Sequence, residues 1–154
     1  MTLRAEPLTA EAFAPFGDVI APDPARAFAI NDGWTDRHHA LAQADLEGGP
    51  AILSIFRGRA RPLAADLLER HPHGSQAFFP LGGHAWLTVV AGSPDGPLRA
   101  FLCRGDQGVQ IGRGVWHHPL LTLRAQDFLV VDRADPAGNL EEARLDPPQP
   151  ILVD

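Results

Sequence analysis

The sequence predicts an all-β domain, a sandwich or antiparallel barrel with one short N-terminal helix. Three observations carry this expectation. Short apolar or alternating runs recur at regular spacing, nearly every run is bounded by turn-forming residues, and only one stretch near the start has helical character. The helical stretch is Thr9 to Phe16, where Thr9 is placed to cap, Ala-rich residues follow, and Pro15 with Gly17 stops it. Strands are expected over Ala51–Arg57, Leu63–Arg70, Gln76–Leu81, Ala85–Ala91, Leu98–Arg104, Val115–Leu123 and Gln126–Asp132. Their boundaries are Gly48-Gly49-Pro50, Gly82-Gly83, Pro94-Asp95-Gly96-Pro97, Gly105-Asp106 and Gly112-Arg113-Gly114. Ala64 to Glu69 has good helix propensity, yet its length and the His-Pro that follows favour a strand. The tail from Asp146 to Asp154 carries Pro147, Pro148 and Pro150 and should be extended, packed along a neighbouring surface.

At 154 residues with 45% hydrophobic content, the chain is long enough for one well-buried core and short for two, so residues 1–154 read as a single domain. A net charge of -6 argues against nucleic acid and anionic membranes as partners and favours a small-molecule substrate. All 13 basic residues are Arg, and Lys and Tyr are absent, which excludes a Schiff-base lysine and a tyrosine acid. Cys103 is the single cysteine, so no internal disulfide forms and a reducing, cytoplasmic setting is expected. Met1-Thr2-Leu3-Arg4 leads into no apolar leader-like core, and the longest apolar stretch, Ala85 to Ala91, is too short to span a bilayer.

The chemistry concentrates in Glu69-Arg70-His71-Pro72-His73-Gly74-Ser75-Gln76 and in Trp116-His117-His118-Pro119. On a strand, Glu69 and His71 share a face; Gln76 follows after the Pro72/Gly74 bend, and a later strand brings His117. Glu69, His71, Gln76 and His117 together form a candidate metal site whose ligand types suit Ni, Mn, Fe or Zn about equally. The purely structural alternative pairs Glu69 with an arginine and makes the histidines satisfied core groups. His118 should face away from His117, His73 falls in the loop, and His84 reads as a turn residue. Arg37, Arg57 and Arg70 are candidates to grip a carboxylate, although Arg70, between two inward residues, should face outward. Asn31 and Ser54 could orient a polar ligand, while Asn31-Asp32-Gly33 is also an ordinary turn sequence. Phe78, Trp86, Trp116 and Phe128 read as core.

Gly112-x-Gly114-x-x-His117 resembles the second motif of the cupin barrels. More specifically, the chain resembles the ureidoglycolate lyase family, cupin-like enzymes of allantoin breakdown formerly called ureidoglycolate hydrolases. The resemblance rests on Leu8 to Ile20, Ile30-Asn31-Asp32-Gly33, Arg37-His38-His39, Glu69-Arg70-His71-Pro72, Gln76-Ala77-Phe78-Phe79-Pro80, Gly105 to Val109, Val115 to Leu120, and Asp127 to Arg133. It implies a cupin-like jelly-roll β-barrel, a homodimer, and cleavage of (S)-ureidoglycolate to glyoxylate and urea. It also implies a divalent cation such as nickel. Glu69 and Gln76 stand where typical metal cupins carry His and Glu, which leaves a metal-free site as the other reading. Glu69, His71 and His117 are then the expected catalytic groups, with Asn31, Arg37, Ser54, Arg57 and Gln76 around the substrate. The competing functions are an amidohydrolase releasing ammonia, a non-catalytic cupin binding a small acid, and another isomerase on the same barrel.

Overall fold

A computed structural model of the chain describes residues 2–134 and 138–154; the reading that begins at Met1 therefore lies partly outside the described residues. The elements are β1 (Leu3–Pro7), α1 (Ala10–Phe13), β2 (Gly17–Ile20), β3 (Ala27–Ile30), β4 (Thr35–His38), β5 (Ala51–Gly58), β6 (Ala64–Arg70) and β7 (Gln76–Pro80). They continue as β8 (Trp86–Ala91), β9 (Leu98–Cys103), β10 (Gly108–Ile111), β11 (Trp116–His117), β12 (Leu121–Thr122), β13 (Gln126–Arg133) and β14 (Glu141–Leu152). The expected all-β, barrel-like architecture forms, with a single short α-helix among the described residues. That helix is shorter than its sequence suggested: Thr9 Oγ1 accepts from the Ala12 N–H at 3.1 Å, and regular structure ends at Phe13, ahead of Pro15.

One sheet runs β2-β10-β7-β13-β5, antiparallel throughout. The second runs β11-β6-β14-β1-β9-β8-β12, and because β11 also pairs with β8, the strands β6, β14, β1, β9, β8 and β11 close into a ring. Two cores result. Phe13, Phe78, Trp86, Val90, Phe101, Phe128 and Val130 fill the space between the two sheets, whereas Ala65, Leu87, Val89, Ala100, Leu121 and Ile151 form a second, smaller-residue core. Strand β8 serves both: Trp86 and Val90 belong to the first, Leu87 and Val89 to the second, and all six of its residues are buried. This explains why Ala85 to Ala91 reads as a continuous apolar run rather than an alternating one.

The strands expected at β5, β6, β7, β8, β9 and β13 are present with ends shifted by a residue or two. The run Val115 to Leu123 is not one strand. It divides into β11 and β12, because Pro119 offers no N–H to a ladder. The tail is extended as expected, and its surface proves to be the protein's own sheet: β14 pairs antiparallel with β6 and parallel with β1, with the register shifting between Arg144 and Gln149. Strands β1, β2, β3, β4 and β10 had no sequence signal strong enough to predict them, being four or five residues long.

Candidate active site

Strands β6, β11 and β8 place the central residues. Glu69 lies directly opposite His117 across the β6–β11 ladder, and His117 lies opposite Val90 of β8. His71 follows two residues after Glu69, at the point where β6 ends and the chain bends through Pro72 and Gly74. One ligand-capable atom from each of Glu69, His71 and His117 falls within 4.8 Å of the other two. Glu69 Oε1 is 3.5 Å from His117 Nε2 and 4.0 Å from His71 Nε2, and the two imidazole centroids are 5.3 Å apart. The spacing of Glu69, His71 and the distant His117 therefore brings together the three residues it suggested.

The outer nitrogens of both rings are tied to main chain. His117 Nδ1 donates to the Val115 carbonyl at 2.9 Å, and His71 Nδ1 donates to the Asn139 carbonyl at 3.0 Å. A carbonyl only accepts, so each Nδ1 carries a proton and each Nε2 is turned toward Glu69. Both Nε2 atoms are buried without a hydrogen-bond partner, as is Oε1 of Gln76. Orphaned buried polar atoms, two of them facing one carboxylate, are expensive unless a ligand, ion or reacting group completes them. Burial pushes the Glu69 carboxyl toward a higher pKa, but the close approach of His117, with His71 and His118 beyond it, outweighs that and holds it below its ordinary range. Glu69 is ionised at neutral pH.

Gln76 opens β7 and is buried; its Nε2 donates to Asp132 Oδ2 at 3.1 Å, which fixes the amide and leaves Oε1 free. Two cavities flank these residues. One of about 420 Å³ is bordered by Glu69, Gln76, Phe56, Phe78 and the arginines 57, 59 and 61. A smaller one of about 170 Å³ is bordered by His71, Ser75, Asp132, Arg133 and Asn139.

The remaining candidates scatter. Arg57 borders the larger cavity, but its guanidinium is engaged by its cross-strand neighbour Asp127, Nε to Oδ1 at 3.0 Å and the second prong at 3.4 Å. The pair lowers the Asp127 pKa and raises that of Arg57. Ser54 lies on β5 between Ile52, which borders the small cavity, and Phe56, which borders the large one; strand alternation puts all three on one face. Asn31 and Arg37 are not gathered with the triad. They sit on the β3–β4 hairpin, which pairs only with itself, and Asn31 donates to Thr35 Oγ1 at 3.1 Å within the turn. Arg70 faces away as expected, bonded to Glu141 at 2.8 Å and stacked over Trp116 at 4.9 Å. His118 also faces away and is bound to Asp66 at 2.9 Å.

Sequence reading missed the residues that hold the site from a distance. The Asn139 carbonyl that anchors His71 lies 68 positions away and Asp132 lies 56 from Gln76, separations at which no local pattern signals contact. Arg59 was also passed over, although the alternation Arg57-x-Arg59-x-Arg61 was available as a signal.

Known proteins extend this picture. A family model described as Ureidoglycolate lyase matches residues 1–153. A protein of Rhizobium etli (strain CIAT 652) named ureidoglycolate lyase is 53% identical over 148 residues, covering 91% of this chain and 89% of that one. Another so named from Agrobacterium fabrum is 53% identical over 154 residues, with 95% and 93% covered. Among solved structures, oxalate decarboxylase from Bacillus subtilis matches 91% of this chain and 29% of its own, at 15% identity and a TM-score of 0.39. The full-length match to the family model, with relatives at this identity over nine-tenths of the chain, establishes that the chain belongs to the ureidoglycolate lyase family.

Proposed function

We propose that this chain is a carbon–nitrogen lyase that splits (S)-ureidoglycolate into glyoxylate and urea, and that Glu69, His71 and His117 carry the chemistry. The observation that supports it most is the pair of imidazoles, His117 buried and His71 half-buried, whose buried, unpartnered Nε2 atoms face one ionised carboxylate beside an arginine-bordered cavity. Family membership and the names of the relatives agree with it.

The substrate is a hemiaminal whose central carbon bears a hydroxyl, a carboxylate and the ureido nitrogen. Glu69 accepts the hydroxyl proton as the glyoxylate carbonyl forms, and the C–N electron pair passes to the ureido nitrogen. Glu69 passes that proton to the bare Nε2 of an imidazole, which hands it to the ureido nitrogen, so one proton moves from oxygen to nitrogen overall. His117, 3.5 Å from the carboxylate, is placed for this relay more closely than His71 at 4.0 Å. The fixed Nδ1 contacts keep both rings from turning away during the transfer.

The same donor set fits a divalent cation such as nickel: Glu69, His71 and His117 would hold it, with Gln76 Oε1 as a further neutral donor. A cation there supplies polarisation of the substrate hydroxyl, lowering its pKa. An Nε2 lone pair given to a cation is not available to carry a proton, so assay before and after chelation separates the two uses of the imidazoles.

We further propose a homodimer working in the cytoplasm. Strand β5 is an edge of its sheet and exposes Ile52, Leu53 and Ile55, an apolar edge that a second copy would cover. Sedimentation of the wild type against Leu53→Arg tests that assembly, and a monomeric wild type would end it.

The activity is tested by incubating purified protein with fresh racemic ureidoglycolate, with and without chelator, and following glyoxylate, urea and ammonia against the spontaneous background. Urea equal to glyoxylate is the expected result. Ammonia in place of urea would move the chain to amidohydrolase chemistry, and no rate above background would remove this substrate.

A further inference from the structure

We propose that Arg59, and neither Arg57 nor Arg37, grips the substrate carboxylate and sets the preference of the site for small 2-hydroxy and 2-oxo acids. The inference rests on the lyase reading above for the identity of the substrate, and on geometry for the residue. Strand β5 ends at Gly58, and the chain then crosses from one sheet to the other, entering β6 at Ala64. Arg59 and Arg61 lie on this crossover, and with Arg57 they border the same 420 Å³ cavity as Glu69 and Gln76.

Three guanidiniums beside one cavity in a chain of net charge -6 make a local positive region that favours an anion. The three are not equivalent. Arg57 is held by both oxygens of Asp127, and Arg61 lies 3.8 Å from Asp66. Among the described residues the Arg59 guanidinium has no ion pair and no hydrogen bond. It is the one guanidinium of the three whose fork is free to meet a carboxylate in bidentate geometry without first breaking a protein contact. Glu69 borders the same cavity, so a substrate held by its carboxylate on the arginine side has its hydroxyl left toward Glu69.

The test compares wild type with Arg59→Met, Arg59→Lys and, as a control, Arg104→Met, whose guanidinium pairs with Asp106 on a different loop. Loss of a charged hydrogen-bonded contact should raise KM for ureidoglycolate roughly 10- to 100-fold in Arg59→Met while kcat changes by less than about threefold. Arg59→Lys should recover part of the loss, since it keeps the charge without the fork. Arg104→Met should leave KM unchanged. An unaltered KM in Arg59→Met, or a fall in kcat alone, overturns the assignment. Calorimetric binding of oxamate judges Arg59 independently of turnover: weaker binding by Arg59→Met supports the role, while equal binding, or none by wild type, overturns it. Wild type that binds oxamate through Arg59 but leaves ureidoglycolate intact would sink the lyase reading and keep this one.

Discussion

His117 and His118 are adjacent in the chain and almost equally buried, at 1% and 4% exposed, yet their surroundings are opposite. His118 has both ring nitrogens occupied, Nδ1 by the Pro119 carbonyl at 2.8 Å and Nε2 by Asp66 at 2.9 Å. His117 has only Nδ1 occupied, and its Nε2 stands 3.5 Å from Glu69 with no hydrogen bond. Strand alternation sends the two rings to different faces, so one step along the backbone separates a satisfied structural histidine from one left incomplete. Burial alone does not mark a functional polar group. The unfinished hydrogen bond does, because a folded chain gains nothing from an orphaned buried nitrogen that only a ligand or reacting group completes.

The largest expected effect removes one side of this contrast. His117→Ala, His71→Ala and Glu69→Ala should each lower turnover about 10²- to 10⁴-fold, a barrier increase of roughly 3–5 kcal/mol, with a much smaller change in melting temperature. Equal thermal losses with normal turnover would erase the distinction between the two histidines. Trp86→Ala should do the reverse. Trp86 is 2% exposed, meets Phe128 edge-on at 5.2 Å and donates to the Gln107 carbonyl at 2.9 Å, so its loss should cost about 3–5 kcal/mol of stability as read by denaturant unfolding.

A smaller effect is expected from His118→Ala, about 2 kcal/mol of stability, with turnover reduced far less than in His117→Ala. A matching collapse in turnover would mean that His118 belongs to the site after all. The smallest effect concerns acid. The hydrogen bond from His118 holds the Asp66 carboxyl below its ordinary value of 3.8, against the opposing pull of burial. A depressed carboxylate contributes stability that is complete above its unfolded pKa and is lost as pH falls through the folded one. Wild type should therefore lose stability below about pH 4, and Asp66→Asn should be less stable at neutral pH but fall less steeply below it. Parallel acid limbs in the two proteins would exclude Asp66 as a source.

Much of the contrast was legible beforehand. The opposition of His117 and His118, the shared face of Glu69 and His71, the outward turn of Arg70 and the turn at Asn31 all follow from the two-residue period of a strand or from local turn chemistry. Arg57 has the chemistry to grip a carboxylate, but nothing near it in sequence reveals that Asp127, 70 positions away, already occupies its fork. Asn31 and Arg37 carried suitable donors but stand on a hairpin separate from both main sheets.

The sequence by itself determined the strand-built class of this protein and which neighbours along each strand share a face, because those depend on side-chain alternation and on a few glycines and prolines. Only the tertiary structure decided that β14 closes a ring with β6 and β1, and that carbonyls of Asn139 and Val115 turn two imidazoles onto Glu69. It also decided which arginine beside the cavity is left unpaired. The physical reason is range. Periodicity acts over a few residues, whereas register, ring closure and the pairing of charges are set by segments tens of residues apart that meet only when the sheets assemble.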